Sequence, residues 1–230
     1  MNDIVVNHGI FCVSLLALGA CTLVFFRFGA CAAINWITVQ AILANIIVIK
    51  QIDLLGMHVT AADALTVSSF FSLTLLQEVH GKTLAKSAIN ISIISLIFFA
   101  LVMRLHLLYK PNVQDFSEHA YQIIFGSNVR IIISSILAYY ISQSLNSYCY
   151  FKLTNKFPKL SSAIRVNIPV VIAQMVDTII FSFLGLYGLI HSLWSVIIFS
   201  SAIKLLSTAI LSYLVLYIRN NKFIKNPRSK

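Results

Sequence analysis

Four side chains in one apolar segment near the C-terminal end have the types and spacing of a binding site. Gln174, Asp177, Thr178 and Phe181 occupy positions i, i+3, i+4 and i+7, so they share one face of a helix. A charged side chain in the middle of a membrane helix costs about 2.5–3.5 kcal/mol and tends to face a cavity or a partner. We interpret this face as one that binds a flat, polar ligand. The alternative is a structural ion pair between Asp177 and Lys204 of the next apolar segment.

Further polar candidates lie in other apolar segments. Tyr139 and Gln143 follow one another on one helical face and combine aromatic surface with an amide. Asn45 lies inside the second segment, and Glu78 lies at the end of the third. Amides also join helices in membranes, so Gln143 and Asn45 are either ligand contacts or packing contacts. Glu78 either closes the bottom of a cavity or pairs with Lys82 four residues later.

Motifs of enzymes and of nucleotide binding are absent from the sequence. It has no H-E-x-x-H, G-x-S-x-G, G-x-G-x-x-G or P-loop pattern, and its six histidines and four cysteines show no metal-ligand spacing. The sequence therefore predicts no enzyme, no metal site and no cofactor. Transport driven by ATP would need a separate ATPase chain.

The composition places these residues in a membrane protein. The chain has 230 residues, of which 59% are hydrophobic and 10% charged, and its mean hydropathy is +0.88, whereas soluble domains are about 25% charged. We predict an all-α, polytopic helix bundle with six or seven transmembrane helices in residues 1–218, followed by a basic tail, residues 219–230. The seven apolar segments are 8–28, 30–49, 63–78, 88–109, 128–150, 167–187 and 190–217.

Short polar connections separate these segments. The longest, residues 110–126, is predicted as a loop, and so is the connection near residues 50–60. At the end of that connection, Thr60 and Asp63 have the spacing of a helix-start motif. Asp63 is then a helix-start residue, favoured by the positive end of the helix dipole.

The distribution of basic residues predicts the orientation. If the seven segments alternate, about twelve of the 17 lysines and arginines lie on one side, which the positive-inside rule assigns to the cytoplasm. The C-terminus is then cytoplasmic and the N-terminus outside. The net charge of +10 is explained by these cationic loops, without nucleic acid as a partner.

Five short motifs together resemble one known family. They are ANIIVIKQI (44–52), VTAAD (59–63), LQEVHGK (76–82), AYYISQ (138–143) and QMVDTIIF (174–181). In order and separation they are similar to the queuosine precursor transporters, inner-membrane proteins related to vitamin uptake transporters. Gln77 and His80 depart from the Thr and Tyr that are usual in the family.

The resemblance implies a function and roles for the candidate residues. Members import a 7-deazaguanine base, such as preQ0, preQ1 or queuine, across the inner membrane for tRNA modification. The carboxylate of Asp177 would accept the ring N–H and exocyclic amine, and Gln174 would donate to the carbonyl. Phe181 or Tyr139 would stack on the ring, and Glu78 would meet the cationic aminomethyl group.

Three other functions remain open at this point. The chain is alternatively the substrate-binding membrane subunit of an ATP-energised vitamin transporter, or an integral membrane enzyme that uses Asp177 and Glu78 as acid and base on a lipid. It is otherwise an assembly protein whose polar groups pack helices. Expected partners are the small-molecule base and the lipid bilayer; a second copy of the chain or an energising partner stays open.

Overall fold

The described chain is almost entirely helical. A computed structural model describes residues 2–126, 129–188 and 193–218. Its helices are α1 (Asn2–Arg27), α2 (Ala30–Ile47), α3 (Asp63–His80), α4 (Lys82–His106), α5 (Glu118–Phe125), α6 (Val129–Lys156), α7 (Ser162–Phe181) and α8 (Leu193–Ile218); strands β1 (Gln51–Leu54) and β2 (Met57–Thr60) lie between α2 and α3. The predicted all-α membrane bundle is confirmed. The predicted tail, residues 219–230, lies outside the described residues.

Five helices in the described ranges are long and apolar enough to cross a bilayer unaided. They are Val6–Arg27, Ala30–Ile47, Lys82–His106, Ser162–Leu186 and Val196–Tyr213. The number rises to six if Glu118–Phe125 and Arg130–Lys156, two helices at an angle of 50°, are counted as one broken span. The predicted third span, α3, fails this test because Ser, Thr, Gln, Asp and Glu make up much of it.

Helix α3 is the centre of the bundle. Fourteen of its 18 residues are buried, and it contacts α1, α2, α4, α6, α7 and α8. Neighbouring helices cover its polar side chains, so that these side chains do not contact the lipid, where polar groups are costly. Its apolar residues, including Phe70, Phe71 and Leu75, form the best-buried part of the core.

The connection between α2 and α3 is an antiparallel hairpin and not the predicted loop. Ile52 pairs with Val59, and the turn consists of Leu55 and Gly56 with φ of 54° and 74°. Positive φ at both central residues is the geometry that matches the twist of paired strands. The sequence analysis was wrong here because the turn uses leucine in place of the usual asparagine or aspartate.

Two smaller predictions also need correction. The long polar connection contains the short helix α5. Helix α3 does begin at the predicted position, but the residue before it is Ala62 with no side-chain cap, and the Thr60 hydroxyl donates to the Asp63 carboxylate (Oγ1–Oδ1 3.3 Å). Thr60 therefore holds the side chain of Asp63 and does not cap the backbone of the helix.

Candidate functional site

A cavity of about 320 Å³ lies at the hairpin end of the bundle. Its walls come from α2, the hairpin, the first turns of α3, and helices α6, α7 and α8. This volume is at the lower end of the range for small-molecule pockets, about 300–1,000 Å³. Five of the eight predicted site residues line it: Asn45, Tyr139, Asp177, Thr178 and Phe181.

The centre of the cavity wall is an ammonium group between two carboxylates. Lys204 Nζ on α8 donates to Thr178 Oγ1 at 2.9 Å and to Asp177 Oδ2 at 3.3 Å, and it lies 3.8 Å from Asp63 Oδ1. The three charged side chains are 7%, 14% and 5% exposed for Lys204, Asp177 and Asp63. The pair of Asp177 with Lys204, given as the structural alternative, is therefore present and forms part of the cavity wall.

Asp63 is a site residue that the sequence analysis missed. It is the first residue of α3, as expected of a helix-start residue, but its carboxylate is buried in the cavity wall. Ser200 Oγ donates to its Oδ2 at 3.1 Å, and the Thr60 hydroxyl donates to its Oδ1. The available signal was Lys204, a basic residue inside an apolar segment, which needs acidic partners in the bundle.

Aromatic and amide groups complete the wall. The Tyr139 hydroxyl shares a hydrogen bond with Ser69 Oγ at 3.2 Å, and Phe181 lies on α7 one turn after Asp177. Asn45 Oδ1 accepts from Ser135 Oγ at 2.7 Å. Asn45 thus joins α2 to α6 and also lines the cavity. Its contact with a ligand stays a prediction.

The two glutamines lie behind this wall and do not line it. Gln174 Oε1 accepts from Thr208 at 3.3 Å, while its Nε2 is buried and has no hydrogen-bond partner among the described residues. Gln143 Nε2 donates to Ser69 Oγ at 3.3 Å, and its Oε1 accepts from Asn146 at 3.4 Å. Gln143 therefore connects α6 to α3, which is the packing role considered for it.

Glu78 lies at the opposite end of α3, fifteen residues or about 22 Å from Asp63 along the helix axis. It accepts a hydrogen bond from Ser162 and pairs with Arg165 (Oε1–Nη2 3.6 Å) at the start of α7. The Lys82 ammonium lies 3.9 Å from the Phe151 ring centroid. The structure thus keeps Glu78 and Asp177 apart, and no single site holds them as an acid and base pair.

A row of polar contacts between α3 and α6 connects the two ends. Thr74 Oγ1 donates to Asn146 Oδ1 at 3.0 Å, and Gln77 Nε2 donates to the Ser147 carbonyl at 3.0 Å. Gln77 Oε1 is buried without a partner among the described residues. This row, which we call the α3–α6 polar seam, leads from the cavity to the Glu78–Arg165 pair.

The comparisons with known proteins identify the family. The sequence profile of the family described as "putative vitamin uptake transporter" matches residues 60–218, which contain α3 to α8 and most of the cavity wall. The chain belongs to this family. The resemblance inferred from the five motifs is thereby confirmed, and the chain is a multi-pass membrane protein of a transporter family.

A bacterial protein similar to this chain is also named as a transporter. The "probable queuosine precursor transporter" of Bacillus subtilis (strain 168) is 30% identical over 193 residues, which cover 80% of this chain and 84% of the relative. No solved structure matches the chain significantly.

Proposed function

We propose that this protein imports a queuosine precursor, a 7-deazaguanine base of the queuine or preQ1 type, across the inner membrane for tRNA modification. The name of the Bacillus subtilis relative supports this substrate class. The observation that carries the proposal is a cavity lined by the largely buried carboxylate of Asp177 and by the aromatic side chains of Tyr139 and Phe181. Binding and movement of the base need no covalent step.

Recognition of the base rests on Asp177 and the aromatic residues. Lys204 Nζ donates a hydrogen bond to Oδ2 of Asp177. Oδ1 of Asp177 accepts no hydrogen bond from the described residues. The carboxylate accepts from the ring N–H and the exocyclic amine in a two-pronged contact, because Oδ1 is open and Oδ2 keeps a second lone-pair site beside Lys204. The rings of Tyr139 and Phe181 contribute stacking and apolar contact with the flat base.

In this scheme Gln174 contacts the base only after the base has left the cavity. Its unpartnered Nε2 is buried one turn before Asp177 and Thr178 on α7. A buried amide without a hydrogen bond destabilises the folded protein. A base that moves past the cavity wall would supply the missing acceptor, because its carbonyl accepts from Gln174 Nε2. Gln143 acts from behind the wall by holding Ser69.

In the orientation predicted from the basic residues, the cavity is the outer end of the path. If the basic loops are cytoplasmic, the hairpin and the cavity lie outside, and the C-terminus, the α3–α4 turn and the α6–α7 loop lie inside. Transport then occurs by alternating access around a site in the bundle. The α3–α6 polar seam forms the inner half of the path, and the Glu78–Arg165 pair closes it.

The inner closure is tested with Glu78→Gln. This change removes the charge that holds α3 to α7, so we expect uptake to fall several-fold and the cytoplasmic end to open more often. A cysteine at Ser147, in a chain whose four native cysteines are serines, should react faster with an impermeant maleimide in inside-out vesicles. The Glu78→Arg, Arg165→Glu exchange should restore part of both properties.

Lys82→Gln is the matched control for this experiment. Lys82 follows Glu78 by one turn but lies over Phe151, and we expect uptake and labelling close to those of the unchanged chain. Unchanged labelling in Glu78→Gln would show that the pair does not close the path.

The function itself is tested by uptake of radiolabelled queuine and preQ1. The cells cannot synthesise queuosine and express this chain alone, with its presence in the membrane verified. Uptake supports a self-sufficient importer of 7-deazaguanine bases. Uptake that appears only after an ATPase module is added supports the substrate-binding subunit instead, and no binding of either base by the purified protein refutes the proposed substrate class.

A further inference from the structure

The charges of the cavity do not balance. Among the described residues that line it, Asp63, Asp177 and Lys204 are the charged ones. Two carboxylates face one ammonium group, so the ionised cavity has a net charge of −1. The geometry points to Asp63 as the residue that selects substrates carrying a positive charge.

Lys204 neutralises Asp177 better than it neutralises Asp63. Its ammonium donates directly to Asp177 and to Thr178, whereas 3.8 Å to Asp63 is beyond hydrogen-bond distance. The direct partners of Asp63 are the neutral hydroxyls of Ser200 and Thr60. Lys204 therefore compensates Asp63 less directly than Asp177. A buried carboxylate whose charge is incompletely compensated attracts a cation strongly.

This inference rests on the proposed function and narrows its substrate class. The 7-substituent of preQ1 is an aminomethyl group that is protonated near neutral pH, whereas that of preQ0 is a neutral nitrile. When the ring N–H and the exocyclic amine of the base are hydrogen-bonded to Asp177, the ammonium of the 7-substituent would bind Asp63. Glu78, expected from the resemblance to meet this cation, lies at the far end of α3 and pairs with Arg165.

The experiment measures the KM for uptake of labelled preQ1 and labelled preQ0 by the full chain in cells that cannot make queuosine. For the unchanged chain we expect a KM for preQ1 about tenfold or more below that for preQ0, the effect of one charge-assisted hydrogen bond. In Asp63→Asn the ratio should fall to about two or less, because the KM for preQ1 rises while that for preQ0 changes little.

Ser200→Ala is the matched control. It removes a hydrogen bond to Asp63 but keeps the carboxylate charge. We expect both KM values to shift by a similar factor, so that the ratio is preserved. If the KM ratio also falls to about two or less in Ser200→Ala, the preference for preQ1 comes from local packing, and the proposed role of the Asp63 charge is refuted.

The failures of this inference and of the proposed function are distinct. Uptake of neither base by the unchanged chain, together with no binding of either base by the purified protein, refutes the function and the inference together. If both bases are taken up with KM values within twofold, or if both KM values rise equally in Asp63→Asn, only the selection by Asp63 is refuted. The proposed function then stands. If Asp63→Asn does not reach the membrane, Asp63→Ser takes its place: a fall of the KM ratio supports the role of Asp63, and a preserved ratio refutes it.

Discussion

Replacement of Asp177 by Asn is expected to lower uptake of every 7-deazaguanine base at least about 30-fold. The change removes hydrogen bonds between a carboxylate and two N–H donors, and bonds to a charged group contribute about 1.5–3 kcal/mol each. An amide also presents an NH₂ group where the base has donors. The measurement is the KM and maximal rate of preQ1 and preQ0 uptake, normalised to the amount of protein in the membrane.

The fold should survive this substitution. Lys204 retains Asp63 at 3.8 Å and the Thr178 hydroxyl at 2.9 Å, so one ammonium then faces one carboxylate. The control is Asp115→Asn, an exposed carboxylate in the connection before α5, for which uptake should be unchanged. Uptake by Asp177→Asn at the level of the unchanged chain would refute the binding role.

A variant that keeps the charge separates binding from ion pairing. If Asp177 only balances Lys204, Asp177→Glu keeps a carboxylate for the ammonium and should retain uptake. If Asp177 binds the base, the carboxylate displaced by one methylene no longer meets the N–H donors, and uptake should fall. The structure contains the features for both roles, because Lys204 uses one carboxylate oxygen and leaves the other without a hydrogen bond from the described residues.

The apolar segments made the helices of the bundle predictable, and helical spacing placed Asp177, Thr178 and Phe181 on one face. That face does meet a cavity, because a buried carboxylate in a membrane helix has few other stable surroundings. Asn45 and Tyr139 also line this cavity, and each is polar or aromatic inside a segment that must bury one side.

Asp63 and Glu78 show what the sequence alone could not determine. Both are acidic residues near the ends of α3, and spacing along one helix does not say which end meets α8 and which meets α7. Their roles depend on partners that are far away in the sequence but in contact in the structure, Lys204 for Asp63 and Arg165 for Glu78. The hairpin was missed because its turn, Leu55–Gly56, lacks the Asn-Gly or Asp-Gly pair that signals such a turn in a sequence.

Replacement of Lys204 by Met is expected to have the largest effect on stability. It leaves Asp63 and Asp177 buried and close together without a counter-charge, and removal of one partner of a buried pair costs about 3–5 kcal/mol. For a chain of this size, that corresponds to a Tm lower by about 10 °C. The measurement is thermal unfolding of the purified protein in detergent, with Lys204→Arg as the control that keeps the charge.

Partial recovery in Asp63→Asn, Lys204→Met would show that the loss comes from charge and not from packing. The double variant returns the cavity to a net charge of −1, so its Tm should lie between those of Lys204→Met and the unchanged chain. A Tm for Lys204→Met equal to that of the unchanged chain would mean that the carboxylates are already neutral in the empty cavity. Asp63 would then lack the excess charge from which we infer its selection of cationic bases, so the same melting curve bears on both stability and specificity.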